Sequence, residues 1–202
     1  MQQLTTNKLF YNKYRYKIDC SVKGIGRTRS KLAPSMYKEV YDFYAISKTI
    51  TNHNDVKTRS ENNIHSFFFN DKELIPQIEK KVGKWIVGIT SPANEEELSV
   101  LESDGPKKVM CNELPKGGFK YKMHLRPSMS KENRNKFASW AEQNYSIKYS
   151  GKTRIWLEGM TVYYPEPFIY IKDGPTLSMV LLFIGSDHRK LEEYITRSSI
   201  NT

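Results

Sequence analysis

With 202 residues, 38% hydrophobic and 12% aromatic, the chain carries enough apolar surface to fold, which excludes intrinsic disorder. Its longest apolar run, residues 179–184, is strand-sized, far short of the roughly 18 residues of a membrane span. A net charge of +10 favours a polyanionic partner over a neutral or basic one.

In chain order, the first segment (Met1-Gln2-Gln3-Leu4) lacks the basic-then-apolar layout of a secretory signal. Residues 14–22 alternate: Tyr14, Tyr16, Ile18, Cys20 and Val22 share one face, Arg15, Lys17, Asp19 and Ser21 the other, which predicts a half-buried strand. Lys23-Gly24-Ile25-Gly26 reads as a hairpin turn. The expected return strand places Arg27, Arg29 and Lys31 on one face. Pro34-Ser35-Met36 starts a helix running to about residue 47, with Val40, Phe43, Tyr44 and Ser47 on its apolar stripe. Strands are expected at 64–69 and 85–89. Residues 74–81 read locally as helix or strand, and Pro76 suits the interior of neither. Ser91 opens a helix over 94–102, and Glu102-Ser103-Asp104-Gly105-Pro106 reads as a linker.

The second half says much of this again. Lys23-Gly24 followed by Leu32-Ala33-Pro34-Ser35-Met36-Tyr37-Lys38-Glu39 returns as Lys116-Gly117 followed by Leu125-Arg126-Pro127-Ser128-Met129-Ser130-Lys131-Glu132, at a constant spacing of 93. Lys57-Thr58-Arg59 is echoed by Lys152-Thr153-Arg154 at a spacing of 95. Cys20 and Cys111 each follow a Lys-aliphatic pair and read as equivalent inward thiols, unbridged in a reducing compartment. After Lys116-Gly117-Gly118, the residues Phe119, Tyr121, Met123 and Leu125 alternate with Lys120, Lys122, His124 and Arg126. A helix then runs to about residue 144, with Phe137, Trp140 and Ala141 inward. Residues 160–165 align with 64–69 as a strand. Residues 168–172, an Asp173-Gly174 turn and 177–184 read as a hairpin, and Ser186 opens a final helix over 187–197.

Long-period self-similarity marks duplicated structural units. The expectation is an α+β tandem duplication with a first repeat at 1–105 and a second at 106–202. Each repeat comprises a β-hairpin, a helix, antiparallel strands and a C-terminal helix, with a mainly antiparallel sheet and helices on one side. Equivalence of the copies argues for strand at 74–81, which the local pattern leaves open.

Charge follows the repeat. Residues 1–60 hold 12 Lys+Arg against 4 Asp+Glu, and 107–160 again hold 12 against 4. Residues 61–106 hold 4 against 9, and 161–202 hold 4 against 5. A merely soluble basic protein would scatter its charge; a surplus copied in place points to a nucleic-acid backbone. The candidate contacts are Arg27, Arg29 and Lys31 with Lys120, Lys122 and Arg126, then Lys57 and Arg59 with Lys152 and Arg154. On a strand such cations stand about 6.6–7 Å apart, near the spacing of successive phosphates. Phe119 and Tyr121 alternate away from Lys120 and Lys122, so they read as core, and base stacking is not indicated for this strand. The competing account is a solvated strand with anti-aggregation lysines.

Catalytic signals are thin. His53, His65, His124 and His188 are dispersed, two cysteines cannot make a structural zinc site, and the Lys-Gly turns lack Walker spacing. Glu166, Lys172 and Asp173 faintly suggest a metal-dependent nuclease, but no Glu-x-Lys triplet is present. Tyr163-Tyr164 is uninformative among 13 tyrosines. The reading is a non-enzymatic, cytoplasmic protein that binds a DNA or RNA backbone, without cofactor and without a membrane. Its lysine- and asparagine-rich composition suits a phage or virus. The alternatives are a virion or assembly subunit that meets a genome, an acidic protein or its own copies, and a metal-dependent nuclease.

Overall fold

The computed structural model describes residues 1–25, 34–52, 55–160 and 164–200. Contacts divide the chain into two units, Met1–Leu98 and Ser99–Thr202. The first unit holds strands β1 (Gln2–Thr5), β2 (Tyr16–Ser21), β3 (Lys57–Glu61), β4 (Ile64–Phe69) and β5 (Ile86–Ser91). Helices α1 (Pro34–Thr51) and α2 (Leu74–Val82) lie between them, and α3 (Glu95–Glu102) follows. The second holds β6 (Lys107–Cys111), β7 (Tyr121–Leu125), β8 (Ile147–Tyr149), β9 (Phe168–Ile171) and β10 (His188–Thr196). Its helices are the one-turn α4 (Pro115–Gly118), α5 (Lys131–Ala141), α6 (Gly151–Leu157) and α7 (Gly174–Ile184).

The sheet orders are β1-β5-β2-β4-β3 and β6-β10-β7-β9-β8, the same order twice. The directions match too. β1 pairs in parallel with β5, as β6 does with β10, and every other ladder is antiparallel. Within each unit β2-α1-β3-β4-α2-β5, or β7-α5-β8-β9-α7-β10 with α6 inserted between β8 and β9, is a βαββαβ run whose sheet order is 4-1-3-2. That is split βαβ (ferredoxin-like) connectivity, with a parallel strand added at one edge. The protein is a tandem duplication of one α+β unit.

The alternation read in 14–22 carries β2: Tyr16, Ile18 and Cys20 are buried, while Lys17, Asp19 and Ser21 face the other way. The first core joins them to Phe67 and Phe69 of β4, Val40, Phe43 and Ile50 of α1, and Leu74, Ile78 and Val82 of α2. The second joins Met123, Leu125, Ile169 and Ile171 to Phe137, Ala138 and Ala141 of α5, Trp156 and Leu157 of α6, and Val180 and Ile184 of α7. Each fully buried large side chain contributes about 1.5–3 kcal/mol. Both cores lie on the helix side of their sheet, which leaves the other face of each to polar and aromatic side chains. Tyr44, expected on the inward stripe of α1, is exposed, and Ile50 takes its place.

The elements depart from the sequence reading at definite places. Residues 177–184 are helix, not strand: Asp173 is the N-cap, its side chain accepting from the Thr176 N–H at 2.9 Å, and Pro175 stands in the first turn. The expected C-terminal helix of the second copy is β10. Residues 74–81 belong to α2, with Pro76 in the first turn, where its missing N–H costs no hydrogen bond. Lys116-Gly117-Gly118 closes no hairpin, because β6 and β7 are separated by β10. Lys23-Gly24 follows β2 while Lys116-Gly117 precedes the equivalent β7, so the 93-residue register does not carry through the sheets. Pro34 opens α1, whereas Pro127 lies in a turn before α5, whose N-cap is Ser130. Cys20 is buried in a central strand and Cys111 half-buried at an edge. Lys57-Thr58-Arg59 lies in β3 and Lys152-Thr153-Arg154 in α6, so that echo joins unlike elements. Of the strand expected at 160–165, residues 161–163 lie outside the described residues; β4 is matched instead by β9.

Candidate nucleic-acid interface

Arg27, Arg29 and Lys31 lie outside the described residues. Lys122 stands on β7 between buried Met123 and half-buried Tyr121, on the face away from the helices. Lys120 is drawn onto Glu193 at 3.0 Å, and Arg126 donates from Nε to the carbonyls of Ser186 (2.9 Å) and His188 (3.2 Å). Both are therefore engaged within the unit. Lys57 and Arg59 share the helix-free face of β3. Lys57 Nζ lies 3.7 Å from the Tyr11 ring centre, and Arg59 pairs with Glu61 at 2.6 Å. On α6, Arg154 bridges Glu142 (2.9 Å) and Glu158 (2.6 Å), while Lys152 is exposed. The predicted set is thus distributed over different elements, and Lys122 is the member best placed to meet a ligand.

Its neighbours come from a strand the sequence reading treated as plain hairpin. On β9, Ile169 and Ile171 are fully buried, so Phe168 and Tyr170 point to the helix-free face. The register sets Lys122 beside Tyr170, His124 beside Phe168, and Lys148 of β8 on the far side of Tyr170. Lys122 Nζ lies 4.2 Å from the Phe168 ring centre and 6.0 Å from that of Tyr170, and the two rings meet edge to face at 5.6 Å. Phe168, Tyr170, Lys148 and Ser150 line a cleft of about 230 Å³ with Lys116. Lys116 and Gly117 both adopt positive φ (56° and 75°), a backbone that brings the lysine round to the cleft. Among the described residues, Lys116, Lys122 and Lys148 have no carboxylate partner. The alternation of aromatic with isoleucine over 168–171 was visible; the pairing that sets it beside Lys122 was not.

The next strand holds the balancing charge. Glu192 of β10 faces His124 at 3.5 Å and Lys190 at 2.5 Å, and its carboxyl is held down to about 2, first by the His124 contact and then by Lys190, against its burial. Glu193 is buried, which works to raise its carboxyl, but Lys108 and Lys120 outweigh that and keep it below the ordinary range. Burial, followed by the charge of Glu192, pushes the Tyr194 phenol up to about 12. Glu192 also stands opposite Lys122 in the β10–β7 ladder and offsets part of its charge, whereas Lys148 lies on β8 at the far edge of the sheet.

In the first unit the corresponding place is closed. Lys17 of β2 pairs in register with Phe68 of β4, as Lys122 does with Tyr170. But Phe68 is only 5% exposed, because the connection between β1 and β2 lays Tyr11 (4.9 Å), Phe10 (5.6 Å) and Tyr14 (6.5 Å) against it. Lys17 is bound to Asp19 at 2.7 Å.

Other chemistry is accounted for by structure. His65 is buried between Ser60 (2.8 Å to Nδ1) and Ser47 (3.2 Å to Nε2), with Phe43 and Phe67 edge-on, and burial pulls its imidazole down to about 4. That is a satisfied core histidine. Asp173 caps α7, and Glu166 lies 3.9 Å from Arg189. Among the described residues no three His, Cys, Asp or Glu side chains gather to hold a metal, and no helix is long and apolar enough to cross a membrane. No protein-family model matches the chain, and neither does any curated protein or solved structure.

Proposed function

We propose that the chain is a non-enzymatic nucleic-acid-binding protein that engages the phosphate backbone through the cationic strand face of each unit. The observation that carries this reading is the trio Lys116, Lys122 and Lys148. Lys116 and Lys148 line the cleft beside Phe168 and Tyr170, Lys122 lies over the Phe168 ring, and among the described residues none of the three is ion-paired to a carboxylate. Cations arranged this way on a sheet, with helices behind it, are available to phosphate at little cost in broken ion pairs. Lys120 and Arg126 support the face from its margins, and Arg27, Arg29 and Lys31 would serve the first unit.

Charge reversal tests it. Changing Lys116, Lys122 and Lys148 to Glu should weaken binding to oligonucleotides of any sequence. The slope of log K against log salt should flatten by roughly 0.7–0.9 per lost contact. The triple reversal of Arg27, Arg29 and Lys31 measures the first unit's share. Unchanged affinity and slope in both triple variants would sink the reading.

A second reading, an assembly subunit, draws on α7. Its Leu182 is 80% exposed, Met179 and Phe183 are exposed with it, and Phe183 stacks on Trp140 at 4.5 Å. Exposed apolar patches mark association surfaces. Sedimentation of the wild type against Leu182→Lys decides: a concentration-dependent oligomer lost in the variant favours assembly, and a monomer throughout removes it.

A further inference from the structure

We infer that the second unit's face takes a single strand, DNA or RNA, whose unpaired bases stack on Phe168 and Tyr170 while Lys116, Lys122 and Lys148 meet the flanking phosphates, and that the first unit takes no base because its own chain fills the place. This deepens the backbone-binding reading above and rests on it.

Phosphate contact alone needs cations; it does not need half-buried aromatic rings among them. Phe168 and Tyr170 leave the core to the isoleucines of β9 and remain partly exposed on the polar face. Leaving aromatic surface in contact with water costs free energy, and a ligand with a flat apolar face recovers it. A duplex buries the faces of its bases in its own stack, whereas unpaired bases present them. The cleft beside the two rings, about 230 Å³, falls below the roughly 300–1,000 Å³ of small-molecule pockets and suits one flat ring at a time. The rings are nearly perpendicular, at 81°, so they do not stack on each other. Lys122 now lies over Phe168 at 4.2 Å, and a base arriving there would displace the ammonium toward the backbone.

The first unit supplies an independent observation. At its equivalent position the strand aromatic, Phe68, has an aromatic occupant: Tyr11 lies against it, with Lys57 Nζ 3.7 Å from the Tyr11 ring centre. Tyr11 meets Phe68 edge to face, at 87°, so the place is filled by a ring with a lysine alongside, although that ring is not stacked.

The test compares fluorescence anisotropy of the full chain with a labelled single-stranded oligonucleotide, as DNA and as RNA, a duplex of the same length, and an abasic strand of the same length. The single strand should bind more tightly than either the abasic strand or the duplex. Phe168→Leu and Tyr170→Leu should each lower single-strand affinity by about five- to a hundredfold, leaving abasic-strand affinity and the salt slope unchanged. The DNA and RNA arms tell the two sources apart. Equal affinity of the wild type for single, abasic and duplex ligands overturns the stacking inference, whatever the variants do to folding, and leaves the phosphate reading standing. No affinity for any of them overturns the phosphate reading itself, and this inference with it.

Discussion

His65 shows how a single side chain sets the acid limit of the first unit. Its pKa falls from 6.5 to about 4 through burial, so the unfolded chain binds a proton that the folded one refuses. A depressed folded-state value means that the stability is fully present above pH 6.5 and is lost as pH falls toward 4. Urea titrations over that window should show the unfolding free energy dropping with a slope of up to one proton, about 1.4 kcal/mol per pH unit. His65→Gln should flatten that slope. An equally steep slope in the variant would place the acid sensitivity elsewhere. Glu192 acts in a lower window: its folded value of about 2 against 4.5 makes its contribution complete above pH 4.5 and lost toward 2. Glu192→Gln should remove that lower component and leave the His65 window unchanged.

At the scale of elements, α7 turns on its cap. Asp173→Ala deletes the acceptor for the Thr176 N–H and should destabilise the second unit by about 1 kcal/mol, while Asp173→Asn should restore most of it. Thermal melts of the two variants check this, and nucleic-acid affinity should not change in either. Abolition of a Mg²⁺-dependent cleavage by Asp173→Ala in a folded protein would instead revive the nuclease alternative. The same helix shows where sequence patterns stop speaking. β2, α1 and α5 are legible because each has a period, of two or of 3.6, and a distinct buried face, whereas β9 is read as a strand only from the turn signal after it. Residues 179–184 are apolar on every side, so periodicity cannot choose between strand and helix. Asp173-Gly174 reads as a turn, although an acidic cap with proline two residues on also starts a helix. β10 misled in the opposite sense. Its Glu192 and Glu193 look like a solvated helix face, and they are tolerable in a central strand only because Lys108, Lys120, His124 and Lys190 lie beside them, three of these from other segments of the chain. The site was half legible for the same reason. Lys122 follows from local alternation, but its nearness to Phe168 and Tyr170 depends on which strands pair.

At the scale of the whole molecule, the duplication is real in the sheets and loose in the sequence. Strand order and direction repeat without exception, while the matched Lys-Gly pairs fall on opposite sides of equivalent strands. Topology is held by many distributed apolar positions, any of which tolerates exchange at similar volume. The two units consequently share a scaffold without sharing a surface: one helix-free face is aromatic and flanked by lysines that pair with no carboxylate among the described residues, the other is covered by its own chain.

The parallel strand added at each sheet edge explains how two such faces come from one plan. Because β1 lies beyond β5, the chain needs a long connection, residues 6–15, to reach β2; β6 lies beyond β10 and needs residues 112–120 to reach β7. Both connections arrive at the same part of the face, one delivering Phe10, Tyr11 and Tyr14, the other Lys116. The connection is thus an interchangeable cassette, and the identity of a unit as reader or as blank resides there, not in the sheet. Grafting 112–120 in place of 6–15, in a Phe168→Leu/Tyr170→Leu background, should return single-strand binding through Phe68. Grafting 6–15 in place of 112–120 should abolish the second unit's preference for a single strand over an abasic one without touching a single residue of its strands.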